Sequence, residues 1–162
     1  MQVAFELPAG DRTVIASEER IVCIDIGHED IREFVRFSEE ALPQLVDART
    51  LDDIPEGDPL TEMARFYIRQ GSLVIRQFAD CFEAGRLDRE EACALYTLLM
   101  QSERMLGMAI AGVSAEGQSC IGQAESEKQD CKSACPKKFC GCVWNAFLAK
   151  SNCFVKINVG KK

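Results

Sequence analysis

The sequence predicts an α+β protein that is mainly helical, with an N-terminal three-stranded β-meander, three α-helices and a small cysteine-rich tail module. Three observations predict this class. Runs of β-branched and apolar residues alternate with turn residues over the first 26 positions. Apolar residues then recur at three- and four-residue steps as far as residue 110. Six of the nine cysteines lie within the 34 residues from 120 to 153.

The β-meander is predicted over residues 3–26. Residues 3–7 and 13–16 flank a turn that contains proline and glycine, and a third run, residues 21–26, ends at Gly27. Three strands are not stable without a partner layer, so we expect a helix to cover one face of the meander.

The first helix is predicted to begin near residues 28–30. Pro43 kinks it or ends its first section, and a loop follows over residues 51–57. Its apolar stripe comprises Ile31, Phe34, Val35, Ala41, Leu42, Leu45 and Val46.

The second and third helices carry clearer boundary signals. Asp58 is a suitable N-cap, Pro59 suits the first helical position, and Gly85 is expected to end the second helix in a left-handed conformation. Asp88 and Glu91 form a capping-box-like start for the third helix. Because the connection is short, these two helices should pack as an antiparallel hairpin.

Charge divides the chain, whose net value is −7. Residues 1–119 contain 23 acidic residues against 11 arginines, giving −12, and residues 120–162 contain eight lysines against three acidic residues, giving +5. An acidic body argues against a nucleic-acid partner, since phosphate neutralisation needs clustered cations. The basic tail could attract an anionic surface or the body itself.

This division predicts three segments: an acidic β-meander plus helical body at 1–112, a polar linker at 113–129 and a basic cysteine-rich tail at 130–162. Residues 153–159 alternate apolar and polar side chains and predict a strand. No apolar run reaches the roughly 18–20 residues of a membrane-spanning helix, and the first residues lack a secretory pattern, so cytoplasmic residence is the default expectation.

The tail cysteines are candidates for three chemistries. They are Cys120, Cys131, Cys135, Cys140, Cys142 and Cys153. As disulfides they allow 15 pairings and require an oxidising setting. As thiolates, Cys131, Cys135, Cys140 and Cys142 are the candidate ligands of zinc, the one cofactor that the sequence suggests. Dehydration of nearby serines would instead allow thioether rings.

No catalytic pattern is found in the body. It has no phosphate-binding glycine loop, no metal-type histidine spacing and no nucleophile elbow. The single histidine, His28, is predicted to be a helix-start residue, and Cys23, Cys81 and Cys93 are predicted to be core thiols. We therefore expect the protein not to be an enzyme.

Residues 5–14, 24–26, 31–36 and 42–45 together resemble the start of the small tail assembly chaperones of tailed phages. The resemblance covers about the first 50 residues. Members of that family are not enzymes; they hold the tape-measure protein while the tail is built. The resemblance therefore implies a chaperone role.

The expected function is a non-enzymatic interaction protein, of the assembly-chaperone type, that binds another protein through the helical hairpin. The predicted partner-binding residues are Tyr67, Val74, Phe78, Leu95 and Leu99. One alternative is a peptide precursor, in which an acidic folded leader neutralises a cationic cysteine-rich bioactive peptide. The other is a zinc-binding regulator.

Overall fold

A computed structural model describes residues 26–81 and 84–158. Within these residues the chain forms six α-helices and two short 3₁₀ turns, at Leu42–Gln44 and Ala84–Arg86. The helices are α1 (His28–Ala41), α2 (Ala48–Asp53), α3 (Pro59–Ala79), α4 (Arg89–Val113), α5 (Ala115–Ala134) and α6 (Cys142–Asn158).

The predicted α+β class is wrong, because the described residues are helical and contain no β-strand. The meander was predicted for residues 3–26, and all of these except Ile26 lie outside the described residues. Two further expectations fail in the tail. Most of the predicted linker, 113–129, belongs to α5, and most of the predicted strand, 153–159, belongs to α6.

Helix α6 shows why the strand prediction failed. Cys153, Phe154 and Ile157 are buried at helical spacing, whereas Val155 is only partly buried. The alternation of Val155 and Ile157 is therefore incidental, and burial at three- and four-residue steps determines the local structure.

The caps predicted for α3 and α4 are confirmed. Asp58 Oδ1 accepts a hydrogen bond from Thr61 N at 2.9 Å, and Asp88 Oδ1 accepts one from Glu91 N at 2.7 Å. Each carboxylate satisfies an amide that has no partner within the helix.

The end predicted for the second helix is wrong. Helix α3 stops at Ala79, where Asp80 N donates to Arg76 O at 2.9 Å. Gly85 lies in the second 3₁₀ turn, and no described glycine has a positive φ. A different residue at position 85 would therefore meet no left-handed strain.

Part of the predicted loop 51–57 is also helical, because α2 extends to Asp53. The buried guanidinium of Arg65 holds the end of this segment, donating to Ile54 O at 3.0 Å and to Pro55 O at 3.1 Å. A side chain of α3 thus supplies the hydrogen-bond partners that fix the preceding loop.

Helices α3 and α4 form the predicted antiparallel hairpin. Gln70 Nε2 donates to Ser102 Oγ at 2.9 Å, and Leu60 lies beside Gly112 at the other end of the pair. Helix α4 is the centre of the molecule, because α3, α5 and α6 all pack against it. Its buried apolar residues are Ala92, Cys93, Leu95, Tyr96, Leu98, Leu99, Leu106, Ala109 and Ile110.

Candidate functional site

Three nested disulfides hold the tail: two join α5 to α6, and the third closes the loop between these helices. They link Cys120 to Cys153, Cys131 to Cys142 and Cys135 to Cys140, with Cα–Cα distances of 5.9, 5.8 and 6.6 Å. Because the outer pair encloses the inner pairs, the two helices run antiparallel. We call residues 115–158 the stapled hairpin, and residues 26–113, which contain α1 to α4, the body.

The cysteine spacing contains a signal that the sequence reasoning missed. Cys120 and Cys131 are 11 positions apart, and so are Cys142 and Cys153. Eleven residues make about three turns of an α-helix, so both cysteines of a pair lie on the same helix face. Two such helices placed antiparallel bring their cysteines together in the observed pairs.

In this structure the tail cysteines form disulfides, the first of the three chemistries considered for the tail. The four candidate zinc ligands, Cys131, Cys135, Cys140 and Cys142, form two disulfides, so their sulfurs are not thiolates in this structure. All six tail cysteines are paired with one another and none is left for a thioether. Nowhere in the described ranges do three or more histidine, cysteine, aspartate or glutamate side chains gather to hold a metal ion.

The body cysteines differ from one another. Cys81 is a buried thiol whose Sγ lies 3.4 Å from Gln77 O, and burial raises its pKa. Cys93 is disulfide-bonded, so the expectation of a core thiol is wrong at that position. Cys23 itself lies outside the described residues.

An aromatic cluster fixes α6 to the body. The indole of Trp144 is 1% exposed, and its Nε1 donates to Ser38 Oγ of α1 at 2.8 Å. Its ring centroid lies 5.3 Å from that of Phe34, 5.7 Å from that of Tyr96 and 6.1 Å from that of Phe78. One side chain of the stapled hairpin therefore contacts α1, α3 and α4 together.

Two glycines of the body let side chains of α6 approach closely. The Phe147 ring occupies the position that a β-carbon would take at Gly71 on α3. On α4, a β-carbon at Gly107 would lie 2.9 Å from Lys150 Nζ. The body is thus shaped, at the level of its backbone, to receive these two side chains.

The surface predicted to bind a partner is not available in the folded chain. Val74, Phe78, Leu95 and Leu99 are fully buried, and Tyr67 is partly buried against the same core. The sequence correctly indicates a long apolar face on α3 and α4. That face packs against other helices of the same chain, α6 among them.

A buried ionic network links α4, α5 and α6. Glu103 and Lys150 are each 2% exposed, and their side chains form an ion pair. Glu103 also pairs with Lys128, and Lys150 pairs with Glu125. The network balances two cations with two anions, which buried charges require.

Two pKa values report on this region. Burial by itself would raise the pKa of Glu125. The hydrogen bond from Lys150 and the charges of the nearby lysines together have a larger effect in the opposite direction, so the pKa is lowered. Burial, with a smaller contribution from Glu103, raises the pKa of Tyr96 to about 12. The Tyr96 phenol is therefore held neutral beside a charged carboxylate.

Among the residues that the structure describes, three ion pairs cross between the stapled hairpin and the body. Lys128 and Lys150 pair with Glu103, and Lys137 Nζ lies 3.1 Å from Glu33 Oε1. Hydrogen bonds from Arg36 and then from Lys137 lower the pKa of Glu33. The charge division seen along the sequence thus becomes direct contact between lysines of one part and glutamates of the other.

His28 is the first residue of α1 and is exposed there, as expected of a helix-start residue. Along residues 26–81 and 84–158, no helix combines the length and the apolar character needed to cross a bilayer.

The site that the described residues offer is the contact between the stapled hairpin and the body.

The phage-chaperone resemblance rests on the first 50 residues, and the first half of these lies outside the described ranges. The resemblance stays a prediction. Comparisons of this chain with protein-family models, with curated proteins and with solved structures found no match.

Proposed function

We propose that the protein is a precursor in which an acidic helical body carries a cationic, disulfide-stapled helical hairpin until the hairpin is released. One observation carries the proposal. All six cysteines from 120 to 153 are used within the stapled hairpin, so none of them ties it to the body. The covalent link between the two parts is the main chain at Ser114.

The contacts between the two parts suit a carrier. The stapled hairpin brings Trp144, Phe147 and Phe154, all fully buried, and the body covers these rings with its own core. Lysines 128 and 150 of the hairpin meet Glu103 of the body. The body thus both covers the apolar face of the hairpin and neutralises part of its charge.

The junction between the parts is partly exposed. Gly112, Ala115 and Glu116 are exposed, and Ser114 interrupts the helices as the N-cap of α5, accepting from Gly117 N at 2.9 Å. Cleavage there would leave each helix whole and would leave all three disulfides within the released piece.

The released hairpin would bind an anionic surface. Its covered face presents large aromatic and aliphatic side chains, and lysines 128 and 150 would lose their partner Glu103. Amphipathic helices with lysines beside an apolar face bind at anionic lipid interfaces. The body would prevent this interaction in the intact chain.

The partner-binding surface expected on α3 and α4 has a place in this proposal, since α6 of the same chain occupies their apolar face. An external partner would have to displace α6, against its aromatic packing and the three ion pairs. The zinc-regulator alternative would first require reduction of the disulfides that hold Cys131, Cys135, Cys140 and Cys142.

The disulfides also bear on location. Disulfides persist in oxidising compartments and are rare where thiols are kept reduced. We propose that the stapled form is reached outside the reducing cytoplasm, in place of the default expectation from the sequence.

The experiment uses a chain with a site-specific protease sequence inserted at Ser114. Intact and cleaved protein are mixed with vesicles of phosphatidylglycerol and phosphatidylcholine, and binding is measured by co-sedimentation. We expect residues 115–162 to bind after cleavage and the intact chain not to bind. Vesicles of phosphatidylcholine alone are the control for charge. Equal binding by intact and cleaved protein, or loss of helical circular dichroism from the released piece, would contradict the proposal.

A further inference from the structure

The spacing of the cysteines does not by itself fix the orientation of the stapled hairpin. Placed antiparallel, α5 and α6 give the observed pairs Cys120–Cys153 and Cys131–Cys142, which we call the antiparallel pairing. Placed parallel, the same two helix faces would give Cys120–Cys142 and Cys131–Cys153, which we call the parallel pairing. The ten residues between Cys131 and Cys142 span about 33 Å when extended, against roughly 16 Å for three helical turns. The connection is therefore long enough for either orientation.

Helix α5 contributes little to this choice. It buries only Gly117, Ile121 and Ala124, and its two glycines and three serines lower its helix propensity. Most helical stability in proteins comes from the packing of an apolar face, and that of α5 is small. Before the cysteines are joined, contact with the body must therefore hold α5 in place.

Both helices of the stapled hairpin carry the same pattern, a lysine between two cysteines. Lys128 lies eight residues after the first cysteine of α5, and Lys150 lies eight residues after the first cysteine of α6. Eight residues make two helical turns and about 80° more, so each lysine lies beside the cysteine face of its helix. The rotation from cysteine to lysine has the same sense in both helices.

The orientation of the helices decides where these lysines lie. In an antiparallel pair, the twofold axis that relates the two patterns is perpendicular to the helices, and both lysines lie on the same side of the pair. In a parallel pair, the twofold axis runs along the helices, and the lysines lie on opposite sides. Only the antiparallel pair therefore lets one group of the body contact both lysines.

The structure contains such a group in Glu103 of α4. Its side chain is 2% exposed and pairs with both Lys128 and Lys150. A second contact holds the start of α5, where a β-carbon at Gly117 would collide with the carbonyl oxygen of Ile110 on α4. The body thus contacts both helices of the stapled hairpin through groups that take no part in the disulfides.

We propose that the body directs the disulfide pairing of its own tail, and that Glu103 selects the antiparallel pairing by holding one lysine of each helix before the cysteines are joined. The body then acts as an intramolecular folding template. This inference concerns how the disulfides form and does not depend on release of the hairpin.

The oxidant in this reaction is a small-molecule disulfide. A cysteine thiolate attacks it, a mixed disulfide forms, and one small thiolate leaves with the electron pair. The thiolate of the second cysteine then attacks the protein sulfur of the mixed disulfide and releases the other small thiolate, and the two small thiolates take up the protons that the cysteines lost. Three small disulfides are reduced to six thiols as the six tail cysteines form three disulfides. The body determines only which cysteines meet.

The test is oxidative refolding of the full chain. Reduced protein in urea is diluted into reduced and oxidised glutathione, quenched with acid at successive times, alkylated and mapped by peptide mass spectrometry. Random joining of six cysteines would give any one full arrangement in about one molecule in fifteen. We expect the antiparallel pairing to be the main product of the wild type from the earliest times.

Two variants remove the contacts of Glu103. Glu103→Gln should lower the share of the antiparallel pairing roughly threefold or more, because it removes the charge that both lysines contact. The lost share should appear mainly as the parallel pairing. Lys128→Gln removes only the contact to α5 and keeps the buried pair of Glu103 with Lys150, so it addresses the case in which Glu103→Gln does not fold. It should shift the pairing in the same direction.

Two controls separate pairing from stability. Lys137→Gln breaks an exposed ion pair with Glu33 and should leave the pairing unchanged. Leu51→Ala removes a buried side chain of α2 and keeps Glu103 and its lysines. Each protein is refolded at a urea concentration equally far below its own unfolding midpoint.

The outcomes are distinct. An unchanged share of the antiparallel pairing in both Glu103→Gln and Lys128→Gln, or an equal fall in Leu51→Ala, would overturn the template role. A fall that is spread over other arrangements without the parallel pairing would overturn the selection of orientation by Glu103.

Discussion

The ring of Phe147 on α6 occupies the space that a β-carbon at position 71 of α3 would need. Glycine is unfavourable in the middle of a helix, so its presence at position 71 has a packing reason. This pair determines how closely the stapled hairpin approaches the body.

Gly71→Ala should therefore destabilise the protein by about 1–3 kcal/mol, although alanine is the better helix former, because the core becomes overpacked. Urea unfolding measures the change. Gly122→Ala is the matched control, since Gly122 is exposed on α5 and a β-carbon at that position would have nothing within 4 Å. Equal effects of the two substitutions would contradict the packing argument.

Glu103→Gln should cost roughly 3 kcal/mol or more, because it leaves the buried ammonium of Lys150 without one of its two carboxylate partners. Glu40→Gln breaks an ion pair with Arg36 in which both side chains are more than half exposed. That control should cost about 0–0.5 kcal/mol. Similar losses for both variants would show that the network around Glu103 is not a buried one.

The stability of the folded protein at acid pH should depend on Glu125. Its pKa is lowered in the folded protein from an ordinary value of 4.5, so its contribution is present above pH 4.5 and is lost as pH falls through the folded pKa. The melting temperatures of the wild type and of Glu125→Gln should therefore converge as the pH falls below 4.5. Curves that stay parallel from about pH 7 down to about pH 3 would contradict this role.

The phenol of Tyr96 should ionise at a higher pH than that of an exposed tyrosine. Its pKa is raised from 10.0 to about 12, so the phenol is neutral in the folded protein at a pH where it would ionise in the unfolded chain. By the sign of this shift, its contribution to stability is present below pH 10 and is lost as pH rises through about 12. Because the chain has two tyrosines, ultraviolet titration of Tyr67→Phe isolates Tyr96. A midpoint near 10 in the folded variant would be inconsistent with burial of the phenol.

The outermost and innermost disulfides should differ in their contribution to the free energy of unfolding. Cys120 and Cys153 are 33 residues apart and Cys135 and Cys140 only 5. From loop entropy, removal of the first pair should cost about 4 kcal/mol and removal of the second about 2 kcal/mol. Denaturant unfolding of the two double-alanine variants measures the loss of stability in each case. A larger loss on removal of Cys135–Cys140 than on removal of Cys120–Cys153 would contradict the loop-entropy argument.

Some features could be predicted because their causes are local. The caps at Asp58 and Asp88 depend on an amide three residues away, and the apolar faces of α3 and α4 depend on spacing along one helix. The two 11-residue cysteine spacings also contained the pairing of α5 with α6, although that spacing was not used in the prediction.

By itself, the sequence determined the α3–α4 hairpin, its caps and the division between an acidic body and a basic tail. The tertiary structure alone decided that the tail is helical and that it covers the face expected to bind a partner. Helix α5 buries only Gly117, Ile121 and Ala124, so its own pattern is weak. Disulfides and the packing of α6 against the body hold it in place, and such contacts between distant residues leave no periodic signal along the chain.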